Sequence, residues 1–403
     1  MAKILQNNYV LAEKYLGGKY SFRYNEVSNE IEYKEKKDDE YKPLNENALF
    51  RELMHSNYKI SQANLASLFR SDFVEPYNPF QYYFERLPVW DEKTDWITLL
   101  ANYIEAKDQP RFNHHFKKHL VRTVACALDD KYYNKQAFIL VSEVQNSGKS
   151  SFCRFLCPSQ LNDYFTESIN PDNKDGEITL AENLLINLDE LSVLSKADIN
   201  KLKSYFSRQR IKLRRPFEKK ATSAPRRASF VGSTNKMEFL SDETGSVRWL
   251  CFEVGKIHWE EYIKAINIDN VWSQAYSLYK AGFKHDLTAV EIEENNELNL
   301  QFNVTMPEIE AIDKFYDPAT IDDCDFFFNS TDLMAALYEK YPSRPFNTTP
   351  ERIGKALKIL GHKYVSKRSE DKGYPIKGYY LKLKIETLYP TTPTTNLANA
   401  LPF

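Results

Sequence analysis

The chain has 403 residues, which is enough for two or three domains with sizeable hydrophobic cores. Its 54 Lys and Arg side chains are balanced by 56 Asp and Glu, and the formal net charge of −2 excludes a uniformly basic coat for nucleic acid. The five cysteines lack zinc-ligand spacing, and no signal peptide or membrane-length apolar run is visible, so we expect a cytoplasmic protein that contacts no membrane.

Residues 1–128 are predicted to open with a β-hairpin and to continue as a mostly helical region, an oligomerisation or DNA collar. Residues 20–24 and 31–33 alternate in polarity on either side of a turn at Asn29-Glu30. Farther along the chain, apolar residues recur at helical spacing up to residue 128.

The last helix predicted in this region, residues 112–128, has a basic side. His115 and His119 are spaced four residues apart and could hold a metal ion, but no carboxylate partner follows the second histidine. The favoured interpretation is therefore a solvated or DNA-facing side, made of His114, His115, Lys117, Lys118, His119 and Arg122.

The rest of the chain is organised around residues 137–156, which read AFILVSEVQNSGKSSFCRFL. An apolar run of strand length is followed by a polar loop, by Gly148-Lys149-Ser150 and by an amphipathic segment. This order is typical of a phosphate-binding P-loop, in which the lysine reaches the β- and γ-phosphates of ATP and the serine hydroxyl binds Mg²⁺. The predicted nucleotide-binding residues are Gln145, Asn146, Ser147, Gly148, Lys149, Ser150 and Ser151.

One position of this loop departs from the standard pattern. Glu143 stands five residues before Gly148, where the pattern has glycine. A carboxylate beside a triphosphate should repel it unless the side chain points away. The alternative interpretation of the stretch is an ordinary strand, turn and helix.

A second motif lies about forty residues beyond Lys149, where the apolar run 184–188 ends in Asp189 and Glu190. Asp189 is predicted to hold Mg²⁺ directly or through water, and Glu190 to orient and deprotonate the attacking water. The alternative is a strand that meets an acidic helix N-terminus. The upstream Gly-Lys-Ser favours the catalytic interpretation.

Residues 196–227 contain twelve Lys or Arg against two Asp or Glu, a bias that is usually only a solvated face. Here the basic stretch leads into an apolar run, 228–232, closed by Ser233-Thr234-Asn235. A polar residue at this strand end is where an ATPase places its γ-phosphate sensor. Arg248 then stands at a junction between a loop and the next predicted strand.

In this order the chain resembles the virulence-associated protein E family, P-loop ATPases of phages, plasmids and mobile genomic islands related to the third helicase superfamily. The resemblance covers about residues 45–260. It is carried by Tyr77-Asn-Pro79, Leu87-Pro88, Trp90-Asp91, the P-loop, Leu188-Asp-Glu190, Arg215-Pro216-Phe217, Pro225-Arg226, Phe230-Val-Gly-Ser-Thr-Asn235, Asp242-Glu-Thr-Gly245 and Arg248. The family's Thr-Gly-x-Arg-Arg element keeps only its last arginine, because Val247 replaces the other.

The resemblance implies an AAA+-like core with Lys149, Glu190, Asn235 and Arg248 as catalytic residues. Asn235 would be the sensor and Arg248 the finger that completes a neighbour's site. A finger acting on a neighbour implies a homo-oligomeric ring, usually of six subunits. Lys219 and Lys220 would lie on a hairpin that grips single-stranded DNA phosphates in the pore.

The C-terminal third is predicted to contain a helical extension to residue 322, a winged-helix-like domain at 323–388 and a disordered tail at 389–403. Two helices and a basic two-stranded wing are the layout of a duplex-DNA reader. The residues expected to face DNA are Arg352, Lys355, Lys363, Lys367, Arg368 and Lys372. A small basic α+β module that binds protein is the alternative.

We therefore predict an α/β protein with a P-loop ATPase core at 129–322, a helical N-terminal region and a C-terminal winged-helix-like domain. Its predicted function is that of a DNA-dependent ATPase, a hexameric replicative helicase or initiator of a mobile element. The alternative is a non-catalytic DNA-binding or regulatory protein with a degenerate P-loop, which Glu143 favours.

Overall fold

The computed structural model describes residues 7–169, 174–189, 191, 196–213, 221–240, 247–303, 307–340, 348–368 and 375–384. The chain forms two compact units, residues 1–303 and 304–403. The second unit thus begins earlier than the domain predicted from residue 323, because Ala311 and Ile312 belong to its core. The predicted disordered tail at 389–403 lies outside the described residues.

The N-terminal part of the first unit confirms the predicted hairpin. Strands β1 and β2 pair antiparallel, with Tyr20 opposite Glu35 and Asn25 opposite Glu30. A four-stranded sheet in the order β3-β2-β1-β4 packs on three helices through a core that includes Leu16 and Leu53. The elements are α1 Asn8–Lys19, β1 Tyr20–Asn25, β2 Glu30–Glu35, β3 Lys42–Pro43, α2 Glu46–His55, α3 Gln62–Phe69 and β4 Glu75–Tyr77.

The rest of the first unit is built around a six-stranded sheet in the order β5-β12-β6-β11-β8-β7. All neighbours are parallel except β5 and β12. The elements are α4 Pro79–Arg86, α5 Trp96–Ala101, β5 Ile104–Ala106, α6 Gln109–Leu128, β6 Ala137–Val141, α7 Lys149–Phe155, a 3-10 helix Ser159–Tyr164, β7 Phe165–Thr166, α8 Lys174–Glu182, β8 Leu185–Leu188, α9 Lys196–Phe206, β9 Arg210–Leu213, β10 Thr222–Pro225, β11 Ser229–Thr234, β12 Trp249–Ile257, α10 Trp259–Ala265, α11 Ile268–Lys280, α12 Ala289–Asn299 and a 3-10 helix Leu300–Phe302.

Strand β6 lies in the middle of this sheet and is buried along its whole length. Phe138 and Leu140 pack on one face with α6, α7 and α11, whereas Ile139 and Val141 pack on the other face with α8 and α9. A parallel strand covered on both faces must be apolar at every position, because successive side chains point to opposite faces. This explains why an uninterrupted apolar run correctly predicts the strand.

Strand β11 lies between β6 and β8, so two strands distant in sequence are joined through a third. Gly232 of β11 is opposite Leu188 of β8. A Cβ at Gly232 would lie 2.7 Å from the Leu188 carbonyl oxygen, so only glycine fits at this strand separation. The loops after β6, β8 and β11 consequently meet at the same edge of the sheet, where parallel α/β sheets bind ligands.

The predicted solvated or DNA-facing side of α6 is wrong for four of its six residues, which are buried, whereas His114 is exposed and Lys117 is half-buried. His119 and Arg122 are fully buried, and α6 packs against α11 and α5. The ammonium of Lys118 contacts both carboxylate oxygens of Glu291, at 2.7 and 2.8 Å. Within the described residues no group of three or more His, Cys, Asp or Glu could hold a metal, so His115 and His119 have no further ligand there.

The second unit confirms the predicted order of two helices followed by two strands. Strands β15 and β16 pair antiparallel, with Tyr364 opposite Tyr379, and the helices pack on the sheet through a core that includes Leu333 and Leu357. None of the described helices of either unit is long and apolar enough to cross a bilayer. The elements are α13 Pro307–Phe315, β13 Tyr316–Pro318, β14 Phe326–Phe328, α14 Ser330–Lys340, α15 Pro350–Ile359, β15 Tyr364–Arg368 and β16 Pro375–Leu383.

Candidate functional site

A cleft of about 380 Å³ opens where β6, β8 and β11 end. Six of the seven predicted nucleotide-binding residues line it, and Gln145 does not. Asp189 and Asn235, predicted from separate motifs, line the same cleft. The lining residues are Asn146, Ser147, Gly148, Lys149, Ser150, Ser151, Arg154, Asp189, Ser233, Thr234, Asn235 and Trp259.

The loop at 142–148 takes a conformation suited to anions. Asn146 (φ 55°) and Gly148 (φ 88°) both have left-handed backbones. Alternation of left-handed and right-handed residues turns successive N–H groups toward a shared concavity. Glu143, the residue that departs from the standard pattern, is exposed and is not part of the cleft lining. Its carboxylate therefore does not occupy the phosphate position.

Lys149 lines the wall of the cleft and is 5% exposed. Its ammonium donates to the carbonyl oxygens of Ser142 (3.1 Å) and Val144 (2.9 Å) and to the Ser147 hydroxyl (2.9 Å). Burial lowers the pKa of Lys149, and the nearby Asp189 carboxylate opposes that shift. These three neutral oxygens orient the ammonium without cancelling its charge, so it stays attractive to an anion.

Asp189 is held from two sides at the end of β8. Its Oδ1 accepts hydrogen bonds from the hydroxyl of Ser150 at 2.8 Å and from that of Ser233 at 2.6 Å. Carboxylate and hydroxyl oxygens are the ligands that Mg²⁺ prefers, and Ser150 and Asp189 are the two predicted metal ligands. The structure thus brings together a donor set that fits Mg²⁺.

Ser233 is a cleft residue that the sequence motifs did not indicate. It lies in buried β11 and is 3% exposed, whereas the predicted sensor Asn235 is exposed two residues later. The available signal was the pair of polar residues, Ser233 and Thr234, at the end of an otherwise apolar strand. It remained ambiguous because only the strand order β6-β11-β8 places that strand end beside Asp189.

Arg154 is a second missed residue of the cleft. Its guanidinium forms a two-pronged ion pair with Glu167, at 2.8 and 2.9 Å. Asn187 of β8 donates to the same carboxylate at 3.0 Å. This network fixes a cation at the outer wall of the cleft, on the helix that begins at Lys149.

Several predicted site residues lie elsewhere. Arg248 is not among the cleft-lining residues, and its Nε donates to the Ser207 hydroxyl at 3.2 Å. The predicted catalytic base Glu190, the pore lysines Lys219 and Lys220, and the wing residue Lys372 are outside the described residues.

The predicted DNA-facing residues of the second unit divide into two groups. Arg352 pairs with buried Glu308 at 2.9 Å, and Lys355 pairs with Glu351 at 3.4 Å. Lys363 and Lys367 are exposed, and the backbone of Arg368 lies in β15 beside them. The first group therefore has partners within the unit, while Lys363 and Lys367 present their charge to solvent.

Three comparisons with known proteins place this architecture. The model of the virulence-associated protein E-like domain matches residues 84–304, more than half of the chain. No curated protein matches the chain. The apo structure of the NrS-1 C-terminal region is similar with a TM-score of 0.50 and 14% identity, covering 93% of this chain and 99% of that one. Its A form has a TM-score of 0.49 and 13% identity, with 93% and 100% covered. At this identity the likeness shows a shared fold alone.

Proposed function

The chain belongs to the virulence-associated protein E-like family, and on this premise we propose that it is a DNA-dependent ATPase. It would act as a hexameric replicative helicase or initiator of a mobile genetic element. The observation that carries the proposal is the convergence of Lys149, Ser150, Asp189 and Ser233 on one cleft, from three strand ends that are far apart in the sequence.

Each part of the cleft has a role in binding a nucleoside triphosphate. The 142–148 loop would surround the phosphates, and the Lys149 ammonium would exchange loop oxygens for β- and γ-phosphate oxygens. Ser150 and Asp189 would hold Mg²⁺, which when bound neutralises charge on those phosphates. Ser233 keeps the Asp189 carboxylate oriented, and Asn235 reaches the cleft from the same strand end.

Hydrolysis requires groups beyond those described in the cleft. Glu190, which follows Asp189 in the sequence, would orient and deprotonate the attacking water. Arg248, which does not line its own subunit's cleft, would act at a neighbour's site in a ring. Mixing Arg248→Ala subunits with Asp189→Asn subunits should then restore part of the activity. A verified mixed oligomer that stays inactive would contradict a shared site.

The proposal is tested by steady-state ATP hydrolysis with and without single-stranded DNA. Wild-type protein should turn over ATP faster with DNA, while Lys149→Ala and Asp189→Asn should be inactive. Lys236→Ala is the matched control, because this exposed lysine follows the cleft-lining Asn235 without lining the cleft. If the wild type hydrolyses ATP no faster than Lys149→Ala, the ATPase proposal fails, and the alternative of a non-catalytic DNA-binding or regulatory protein with a degenerate P-loop is favoured.

A further inference from the structure

Trp259 is an exposed tryptophan at the mouth of the cleft. It is the first residue of α10, two residues beyond the end of β12, and 47% of its surface is exposed. A Cβ built on Gly148 would lie 3.7 Å from Cδ1 of the indole, so the ring lies beside the loop that precedes Lys149. Tryptophan is usually well buried, and one that stays half open in a polar cleft offers a surface for a ligand.

The backbone on either side of Trp259 is anchored by other residues. Ile257 is buried on the strand side, and Tyr262 is fully buried one turn later. The Tyr262 ring packs against Phe152 and Phe155 of α7, at 5.9 and 4.7 Å between centroids. Helix α10 is therefore fixed to the helix that carries Lys149 by a buried side chain other than the indole.

His258 adds a second anchor next to Trp259. Its Nε2 lies 2.8 Å from Glu105 of β5, and its Nδ1 lies 3.0 Å from Glu261 of α10. The His258 amide also donates to the Tyr103 carbonyl at 2.9 Å. The residue before the indole is thus tied both to the sheet edge and to the helix, which limits where the indole can move.

The remaining lining of the cleft is polar. Hydroxyls, amides, one lysine, one arginine and one carboxylate suit phosphates and a divalent cation, but they offer no flat apolar surface. A nucleotide also carries a base with two apolar faces. Stacking on an aromatic side chain stabilises such a base, and every base has a face that can stack.

We propose that Trp259 is the platform on which the base of the nucleotide stacks, and that this contact selects purine over pyrimidine triphosphates. The inference rests on the proposed function of the cleft as a triphosphate site. Selection by ring size follows because a two-ring base covers more of an indole than a one-ring base does. ATP and GTP should therefore bind with similar affinity, and both should bind more tightly than CTP.

The test compares binding of ATP, GTP, CTP and inorganic tripolyphosphate to the full chain by calorimetry with Mg²⁺ present. Trp259→Ala should weaken ATP binding about 10-fold or more and remove the preference over CTP, because the stacking surface is gone. It should change tripolyphosphate binding less than about 2-fold, because this ligand has no base. Trp259→Phe should keep most of the affinity for ATP. Ile263→Ala is the control, since Ile263 is an exposed apolar residue of the same helix outside the cleft.

The outcomes separate the two proposals. If Trp259→Ala binds ATP as tightly as the wild type while tripolyphosphate still binds, the base platform is overturned and the triphosphate site stands. If the wild type binds neither ATP nor tripolyphosphate, both proposals fall. If Trp259→Ala does not fold, Trp259→Phe provides the test. An equal loss of affinity for ATP and for tripolyphosphate in Trp259→Phe would contradict base stacking on Trp259.

Discussion

Two lysines of this protein are equally buried and differ in their partners. Lys149 and Lys118 are each 5% exposed. Lys149 is held by neutral oxygens at the wall of a 380 Å³ cleft, whereas Lys118 is paired with Glu291 and also donates to the Asp286 carbonyl at 3.1 Å. Burial of a lysine shows only that hydrogen bonds or an opposite charge offset the free-energy cost of removing its ammonium from water. The partner and the access to solvent show whether its charge serves a ligand or the fold.

The surroundings of Lys118 extend the contrast along α6. Burial lowers the pKa of His115 to about 3 and holds that of His119 well below its ordinary value. Arg122 donates to the His285 carbonyl at 3.0 Å inside the protein. Four of the six residues on the basic side of α6 are therefore buried, as two neutral imidazoles and two cations that donate to internal acceptors. Of the other two, exposed His114 lies 2.6 Å from Glu291 and Lys117 pairs with Asp95 at 2.7 Å.

The largest effect that tests this contrast should come from Lys149→Met, which removes the cleft cation while keeping the volume of the side chain. ATP turnover should fall by about 10²–10³-fold, the scale of losing one charged donor to a reacting group. The free energy of unfolding should change less than in Lys118→Met, because loss of the hydrogen bonds to three neutral oxygens is offset by removal of the desolvation cost of the buried ammonium. Urea unfolding and an ATPase assay measure the two quantities. A variant that loses stability and keeps its turnover would reverse the assignment of the two lysines.

Lys118→Met should give the opposite pattern. It leaves the carboxylate of Glu291, whose side chain is 14% exposed, without its main partner, and breaking such a pair costs about 3–5 kcal/mol. Turnover per folded molecule should stay within about 2-fold, since α6 does not line the cleft. The double variant Lys118→Met with Glu291→Gln should recover part of the stability. If the losses of unfolding free energy in the two single variants simply add in the double variant, the two side chains are not coupled.

The same ion pair predicts a pH dependence. Burial alone would raise the pKa of Glu291, but hydrogen bonds from Lys118, the Thr288 amide and His114 outweigh it and hold the pKa below the ordinary 4.5. A carboxylate with a depressed pKa stabilises the fold above its unfolded pKa, and this contribution is lost as the pH falls through the folded pKa. The difference in unfolding free energy between wild type and Glu291→Gln should therefore be constant above about pH 5 and shrink below about pH 4.

Chemical denaturation from pH 3 to 7 checks this prediction, with exposed Glu293→Gln on the same helix as control. If the difference in unfolding free energy between wild type and Glu291→Gln stays constant down to pH 3, the Glu291 carboxylate does not stabilise the folded protein through its charge.

The smallest effect should come from Ser233→Ala, which removes one of the two hydroxyls that orient Asp189. Loss of a group that positions a metal ligand usually lowers affinity or activity by about 10–100-fold, and we expect the lower end because Ser150 remains. The Mg²⁺ concentration that gives half-maximal turnover should rise in Ser233→Ala, and Ser233→Thr should return it to the wild-type value. A purely structural role of Ser233 would leave the Mg²⁺ dependence of turnover unchanged. Turnover titrated with Mg²⁺ measures this.

Local patterns were sufficient to predict much of the architecture. The apolar run of β6, the hairpin of β1 and β2, and the helix–helix–strand–strand order of the second unit follow from periodicity and turn residues, which act over a few neighbouring positions. The same is true of Lys149 and Asp189, because each stands next to an apolar run of strand length. These residues could be identified without knowing what lies beside them.

Only the tertiary structure decided which of these segments meet. The strand order β6-β11-β8 places Ser233 on Asp189, and the strand order on the other side of β6 places Trp259 beside the loop before Lys149. The packing of α11 and of the segment that carries Glu291 onto α6 buried most of a basic side that was predicted from the sequence to be solvated or DNA-facing. The physical reason is that periodicity is a local property of the sequence, which shows only which side of a helix or strand is apolar. Contacts between elements join residues that are far apart in the sequence, so no short segment contains the information about which elements meet.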